Sequence, residues 1–310
     1  MTTAVIVTVD DCYADILQLF LGSLHRHYPL HPEVLVCTKG WNAGLQDRFR
    51  RLFSFVTWID VADLDWHAGP PMKHQDEFDH PVMYARWAAL TRRFDRYDQI
   101  LYLDADMLVL APLEELFDAG RMVAFKELYP DPATLVFTNH ADAGLEALLA
   151  ADGLHDHDWT VAANAGVIVL PSSVRTAQHL AEAQRIKGRY GPHLMWGDQS
   201  LLNIWMASYR LGVTHDCRFN YQLRLLIEGH GRCCPFRDVR ILHFNGQRPD
   251  TLFLMALSFL MMTAVPAGPK LLPWALRIAA SPVFDWLPGY RLWEALRRRI
   301  IERAMTAAVR

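Results

Sequence analysis

Two carboxylates set two residues apart inside an apolar run are the feature of this 310-residue chain with the clearest chemical use. The run, residues 100–110, reads Ile-Leu-Tyr-Leu-Asp-Ala-Asp-Met-Leu-Val-Leu, and its acids are Asp104 and Asp106. On a strand, residues two apart point to the same side, so both acids can face one cation while Ala105 turns away. Carboxylates in apolar surroundings are costly unless paired or bound to metal. A salt bridge or a capped strand end is the alternative use of the pair.

Hydrophobic periodicity supplies the elements that must position these groups. Strands are expected at Thr3–Val9, Glu33–Cys37, Phe55–Ile59, Gln99–Leu103, Gly166–Leu170 and Val239–His243. Helices are expected at Tyr13–Tyr28, Leu45–Phe53, Met83–Phe94, Ser172–Tyr190 and Asp198–Tyr209, with Ser172 and Asp198 as caps. Strands and helices alternate to about residue 110, which predicts an α/β fold built on right-handed βαβ units and a mainly parallel sheet. Ligands of such sheets bind beyond the carboxyl ends of the strands. Four groups stand at such ends or open helices: Asp10-Asp11, Asp104-Ala105-Asp106, Asn164-Ala165-Gly166 and His243.

Taken in order, these residues resemble retaining glycosyltransferase family 8. Tyr102-Leu103-Asp104-Ala105-Asp106-Met107 is similar to the family's metal motif, and Val7-Thr8-Val9-Asp10-Asp11-Cys12-Tyr13 to its uridine-binding strand and turn. Ser23, Leu24 and Pro29, Arg86, Asn164-Ala165-Gly166-Val167, Gly197-Asp198-Gln199 with Asn203, and His243-Phe244-Asn245-Gly246 follow in the family's sequence. The likeness spans about residues 3–249. It departs after His243, where the family has His-Phe-x-Gly-x-x-Lys-Pro-Trp and this chain reads His-Phe-Asn-Gly-Gln-Arg-Pro-Asp, one residue shorter, with Arg248 near the lysine position and no tryptophan.

The resemblance implies a GT-A fold, a Rossmann-like mixed sheet flanked by helices over residues 1–250, with residues 251–310 as a helical C-terminal appendage. It implies transfer of a hexose, with retention, from a UDP-sugar donor to a glycan or lipid-linked acceptor. Asp104, Asp106 and His243 would hold the metal; the imidazole favours Mn2+, with Mg2+ the harder alternative. Asp10 would accept a hydrogen bond from the base and Tyr13 would stack on it, though Asp10 could equally cap the next helix. Arg86 and Arg248 would reach the diphosphate or remain helix-face and surface arginines. Ala105, Asn164, Gly166 and Gly246 would complete the donor pocket. Asp198 and Gln199 are the expected catalytic residues, touching sugar hydroxyls or lying beneath the anomeric carbon.

Composition narrows the remaining choices. The net charge of −3 argues for no particular partner, and no nucleic acid is expected. Residues 251–310 carry eight basic and three acidic side chains, a net +5, which leaves −8 for residues 1–250. The stretch Leu252–Val265 is apolar but only fourteen residues, short of the roughly 20 that span a bilayer. Trp274, Phe284, Trp286, Tyr290 and Trp293 then alternate with arginines, and Trp293, Leu296, Ile300 and Ala304 can share one helical face. That pattern suits a helix lying on an anionic membrane, and equally one packed on the catalytic core. The N-terminus lacks a signal-peptide pattern, so a cytoplasmic enzyme peripheral to the inner membrane face is expected. The five scattered cysteines read as reduced thiols. His155–Asp158 reads as a solvated loop, and His25, His27 and His31 as cations suited to a helix end. Two other functions stay open. A sugar-phosphate nucleotidyltransferase would want a Gly-rich, Lys-containing turn where this chain has Asp10-Asp11-Cys12-Tyr13. A membrane-docked, non-catalytic nucleotide-sugar-binding protein would want no working metal residues.

Overall fold

The structure is a computed structural model, described here for all residues except 65–84, 119, 129–135, 138–142, 195–196, 224–232, 246–250, 265–267, 280–289 and 310. The first elements alternate as expected: β1 (Thr3–Asp10), α1 (Ala14–His27), β2 (Glu33–Lys39), α2 (Ala43–Leu52), β3 (Val56–Asp60) and β4 (Gln99–Leu103). Then come β5 (Met107–Val109), β6 (Val123–Lys126), α3 (Ala143–Ala151), β7 (Ala163–Pro171), α4 (Ala177–Tyr190), α5 (Gly197–Ser208), β8 (Tyr221–Gln222) and β9 (Ile241–His243). Helices α6 (Thr251–Ala264), α7 (Gly268–Ala279) and α8 (Tyr290–Ala307) close the chain.

The main sheet runs β3-β2-β1-β4-β7-β6. Its first four strands are parallel, whereas β7 is antiparallel to both β4 and β6. Side chains of β1 alternate between two cores, because neighbouring residues of a strand point to opposite faces. Ala4 and Ile6 join Leu35, Ile100, Leu201 and Trp205 on one side; Val5, Val7 and Val9 meet Leu17, Phe20 and Leu21 of α1 on the other. Both faces are covered, which is why β1, β2, β4 and β7 read as nearly unbroken apolar runs. A second sheet, β5-β9-β8, lies beside the first and packs on the tail helices through Leu108, Leu242, Phe253 and Leu254.

Several expectations need correction. Residues 85–94 form 3-10 turns, Ala85–Leu90 and Arg92–Phe94, rather than an α-helix. Helix α4 starts later than Ser172, because β7 continues through Pro171 and a 3-10 turn intervenes; Thr176 is the cap, accepting from His179 N. Asp198 is the second residue of α5 and buried, so it does not stand outside the helix as a cap. Burial lowers the His27 and His31 pKa values, against the expected helix-end cations. Cys217 and Cys233 form a disulfide, a pairing across 16 residues that no spacing motif announces. His155 and Asp156 do lie on an exposed turn.

The tail packs inward. Ala304 is fully buried, Ile300 packs against the same core, and Arg297 stacks over Phe253 at 4.9 Å. The expected apolar membrane face is therefore spent largely on α6 and α1, although Leu296 remains 47% exposed. Gln18 Nε2 donates to Met305 O at 2.8 Å, and Gly22 lets α1 touch Ala308. No helix among the described residues is long and apolar enough to cross a membrane. A Cβ on Gly22 would stand 2.6 Å from both Cβ and O of Ala308. Gly22→Ala should therefore lower stability by about 1–3 kcal/mol, read as a lower thermal midpoint; an unchanged midpoint would contradict this docking of α8.

Candidate active site

The Asp-Ala-Asp triplet sits where the chain changes sheets. Strand β4 ends at Leu103 and β5 begins at Met107 in the second sheet, so residues 104–106 form the crossing rather than a strand. Both acids still face one side, because the backbone is pinned twice: Asp104 N donates to Gly166 O at 2.9 Å, and Phe244 N to Asp106 O at 2.9 Å. Ala105 is buried in the core between them.

Pairing of β5 with β9 aligns Met107 with His243, which brings the imidazole to the triplet across more than 130 residues of sequence. Ligand atoms of Asp104, Asp106 and His243 all lie within 4.8 Å of one another. His243 Nε2 is 3.4 Å from Asp106 Oδ1 and 3.9 Å from Asp104 Oδ2. Gly166 makes this possible, since a Cβ there would meet His243 Cε1 at 2.5 Å. The space beside Gly166, expected to form part of the donor pocket, is filled by the His243 ring and Met107.

The donor set fits a divalent cation. A fully enclosed imidazole beside two carboxylates that are 25% and 21% exposed offers one nitrogen and up to four oxygens, open on the acid side. Burial alone would push the His243 imidazole down, but Asp106 and then Asp104 outweigh it and raise its pKa. The cluster therefore attracts positive charge, whether a proton or a metal ion.

Arg86 lies behind the acids. Its Nε is 2.5 Å from Asp198 Oδ2, its Nη2 donates to Asp104 Oδ1 at 3.1 Å, and its Nη1 donates to Ala165 O. The guanidinium also stacks on Tyr102 at 4.4 Å, and the Tyr102 hydroxyl donates to Asp104 Oδ1 at 2.7 Å. Burial opposes the Arg86 charge, yet Asp198, Tyr102 and Asp104 more than offset this and hold its pKa above the ordinary value. The partners of the pair do not shift symmetrically: burial raises Asp198 to about 6 despite Arg86. Desolvation wins at Asp198, which is only 2% exposed. Instead of pointing into the open site, Arg86 ties two of the expected site residues, Asp104 and Asp198, together.

On the far side of His243 is a polar cluster. Asn164 Nδ2 donates to Glu127 Oε2 at 2.8 Å, and Gln199 Oε1 accepts from Ala165 N at 3.2 Å. Asn203 clamps α5 to β7, accepting from Ala163 N at 2.6 Å and donating to Ala163 O at 2.9 Å. Glu127 and Asn220, both buried here, were passed over in the sequence. The usable signal for Glu127 was its place just after the apolar Val123–Phe125 run. Asn220 offered none. Asp10 ends β1, next to β4, and its Oδ1 accepts from Tyr13 N at 3.2 Å, so the capping alternative is realised. Gly246 and Arg248 lie outside the described residues.

Carboxylates gathered where β1 and β4 end and β7 begins, on a mixed sheet flanked by helices, belong to a GT-A-type fold. The chain belongs to the glycosyl transferase family 8, whose model matches residues 4–248. It is 25% identical to human glycogenin-1 over 214 residues, covering 69% of this chain and 50% of that protein. Rabbit (Oryctolagus cuniculus) glycogenin-1 is 24% identical over 251 residues, 78% of this chain and 63% of its own length. The chain thus spans half to somewhat under two thirds of these relatives. Among solved structures, the galactosyltransferase LgtC with donor and acceptor sugar analogues superposes with a TM-score of 0.56 at 19% identity, over 88% of this chain and 96% of its own. Mouse xyloside xylosyltransferase 1 gives 0.56 at 16% identity, over 80% and 99%. Membership of this family speaks against the nucleotidyltransferase alternative.

Two outcomes follow from the geometry. Gly166→Ala should displace the His243 ring and lower the transfer rate by about 10–100-fold while the protein still melts cooperatively; an unchanged rate would show the ring has room. Asp198 is protonated below and charged above about pH 6, so if its charge is needed the rate should climb through about pH 6 and level off. In Asp198→Asn that limb should vanish. A raised carboxyl pKa also means this group favours the folded state at low pH, an advantage lost as pH rises through about 6.

Proposed function

We propose that this protein transfers a hexose, with retention, from a UDP-sugar to a glycan or lipid-linked acceptor, using Mn2+ held by Asp104, Asp106 and His243. The observation that carries the reading is the convergence of those three side chains at the sheet crossing, beside the carboxyl ends of β1 and β4. The single buried nitrogen favours Mn2+ over Mg2+. When bound there, the cation supplies Lewis-acid stabilisation of the charge that builds on the departing diphosphate.

The chain's own residues do the remaining work. Asp104 is steadied by Arg86 and Tyr102, so it keeps one orientation toward the cation. Asp10 and Tyr13, at or just beyond the end of β1, would hold the uracil, Asp10 through the oxygen that does not cap Tyr13. Arg248 is assigned to the diphosphate and Gly246 to the donor pocket on the resemblance alone. Asn164, Gln199 and Asp198, with Glu127, form the polar wall for the hexose, and the Ala105 backbone lies between the two acids. Release of UDP should be measured from UDP-galactose, UDP-glucose and their N-acetyl forms, with and without Mn2+. One donor should react in Mn2+, and Asp106→Ala should lower that rate by about 10²-fold or more without loss of fold. Equal rates without metal, or in the variant, would refute the assignment.

The tail suits contact with an anionic membrane, at the cytoplasmic face in our reading. Support comes from Arg298, Arg299 and Arg303, all exposed on α8, with Leu296 and Leu271 as exposed apolar side chains. The Cys217–Cys233 disulfide argues against a reducing compartment. Replacing the three arginines by glutamine should weaken sedimentation with anionic vesicles by about 10²-fold; unchanged sedimentation would assign the tail a packing role only.

A further inference from the structure

His243 can bind a cation only through a ring nitrogen with a lone pair, and that depends on where the other nitrogen's proton points. A line of hydrogen bonds leading away from the cation site answers this, and it starts at a backbone amide. Gly166 N–H lies 2.9 Å from one terminal atom of the Asn164 side chain. A backbone N–H only donates, so that atom is Oδ1, and Nδ2 is left to donate to Glu127 Oε2 at 2.8 Å. The same Oδ1 is 2.9 Å from a terminal atom of Asn220, which must then be its donor, Nδ2. Asn220 Oδ1 consequently faces His243 Nδ1, 2.8 Å away. An acceptor in that place puts the ring proton on Nδ1. The lone pair falls on Nε2, the nitrogen 3.4 Å from Asp106 and 3.9 Å from Asp104.

We propose that Asn220 is a positioning residue that fixes the tautomer and ring orientation of His243, committing Nε2 to the divalent cation. Every direction in the line is forced by the one before it, which leaves no freedom for an amide flip. All four side chains, Glu127, Asn164, Asn220 and His243, are 4% exposed or less, so bulk water cannot replace a lost partner. The backbone around Asn220 is also held: Asp216 caps the turn Cys217–Phe219 through Arg218 N, and Cys217 is disulfide-bonded to Cys233. One consequence is coupling. Asn220 ties the cation ligand to Asn164, and Asn164 in turn contacts Glu127 and Gln199 in the polar wall opposite.

The inference rests on the cation site proposed above, and two measurements separate their failures. In the first, Mn2+ binding to the full chain in the presence of UDP is followed by electron paramagnetic resonance of the unbound ion. Asn220→Ala, which removes the acceptor, should weaken Mn2+ by about 10–100-fold. Asn220→Asp keeps an oxygen facing Nδ1 and should bind Mn2+ far more tightly than the alanine variant. It loses the donor to Asn164, so its KM for the UDP-sugar should rise while its Mn2+ affinity holds. Alanine-variant affinity equal to that of the unaltered chain, or an aspartate variant as weak as alanine, would overturn the proposal in favour of simple packing. In the second, the metal-free chain labelled with 15N-histidine is examined by NMR, with the His243 signals assigned through His243→Gln. At alkaline pH, where the ring is neutral, His243 should carry its single proton on Nδ1, and a single proton on Nε2 there would overturn the proposal even if no variant folds. Failure of the unaltered chain to bind Mn2+ at all would count against the cation site, while the tautomer still judges Asn220.

Discussion

Two carboxylates held side by side at the edge of an apolar interior repel each other and lose hydration, so something must balance them. Here that need shapes much of the molecule. Asp104 and Asp106 occur where the chain leaves one sheet for another, a place that no regular hydrogen-bond ladder could hold alone. Arg86 and Tyr102 balance them from behind and His243 from the side. The side left to solvent is where a cation would sit.

Balancing groups come from distant parts of the chain, and local features explain how each arrives. Register between β5 and β9 sets His243 against Met107. Antiparallel β7 brings Gly166 to the end of β4, where the missing side chain leaves room for the imidazole. Helix α5 contributes Asp198, which Arg86 contacts, while Asn203 locks the helix to β7. A buried Arg–carboxylate pair is weak evidence for stability, because desolvation can equal or exceed the attraction. The raised pKa of Asp198 makes the same point: burial there works against the charge. A costly group kept at this position is better explained by the site than by the fold.

The sequence made the doubly covered strands legible because β1, β2 and β4 are buried on both sides and bounded by polar turns. The same continuity concealed β5. Residues 100–110 look like one strand with acids inside it, whereas the backbone breaks there and changes sheets. Asp104, Asp106 and His243 were visible as carboxylates and an imidazole at strand ends. Glu127 was hidden because β6 is only four residues long. Asn220 was hidden because its importance lies in two hydrogen bonds to residues 56 and 23 positions away. The Cys217–Cys233 link depends on chain path rather than spacing. The tail showed its amphipathic pattern but not its partner, since a lipid surface and a protein core select similar apolar faces.

A crystal soaked with Mn2+ and UDP, with anomalous scattering recorded at the manganese edge, addresses the central arrangement directly. A single strong peak bonded to Asp104 or Asp106 and to His243 Nε2, with phosphate oxygens completing the shell, is the expected result. A peak elsewhere, or one that leaves His243 unbound with its ring facing the core, would contradict it.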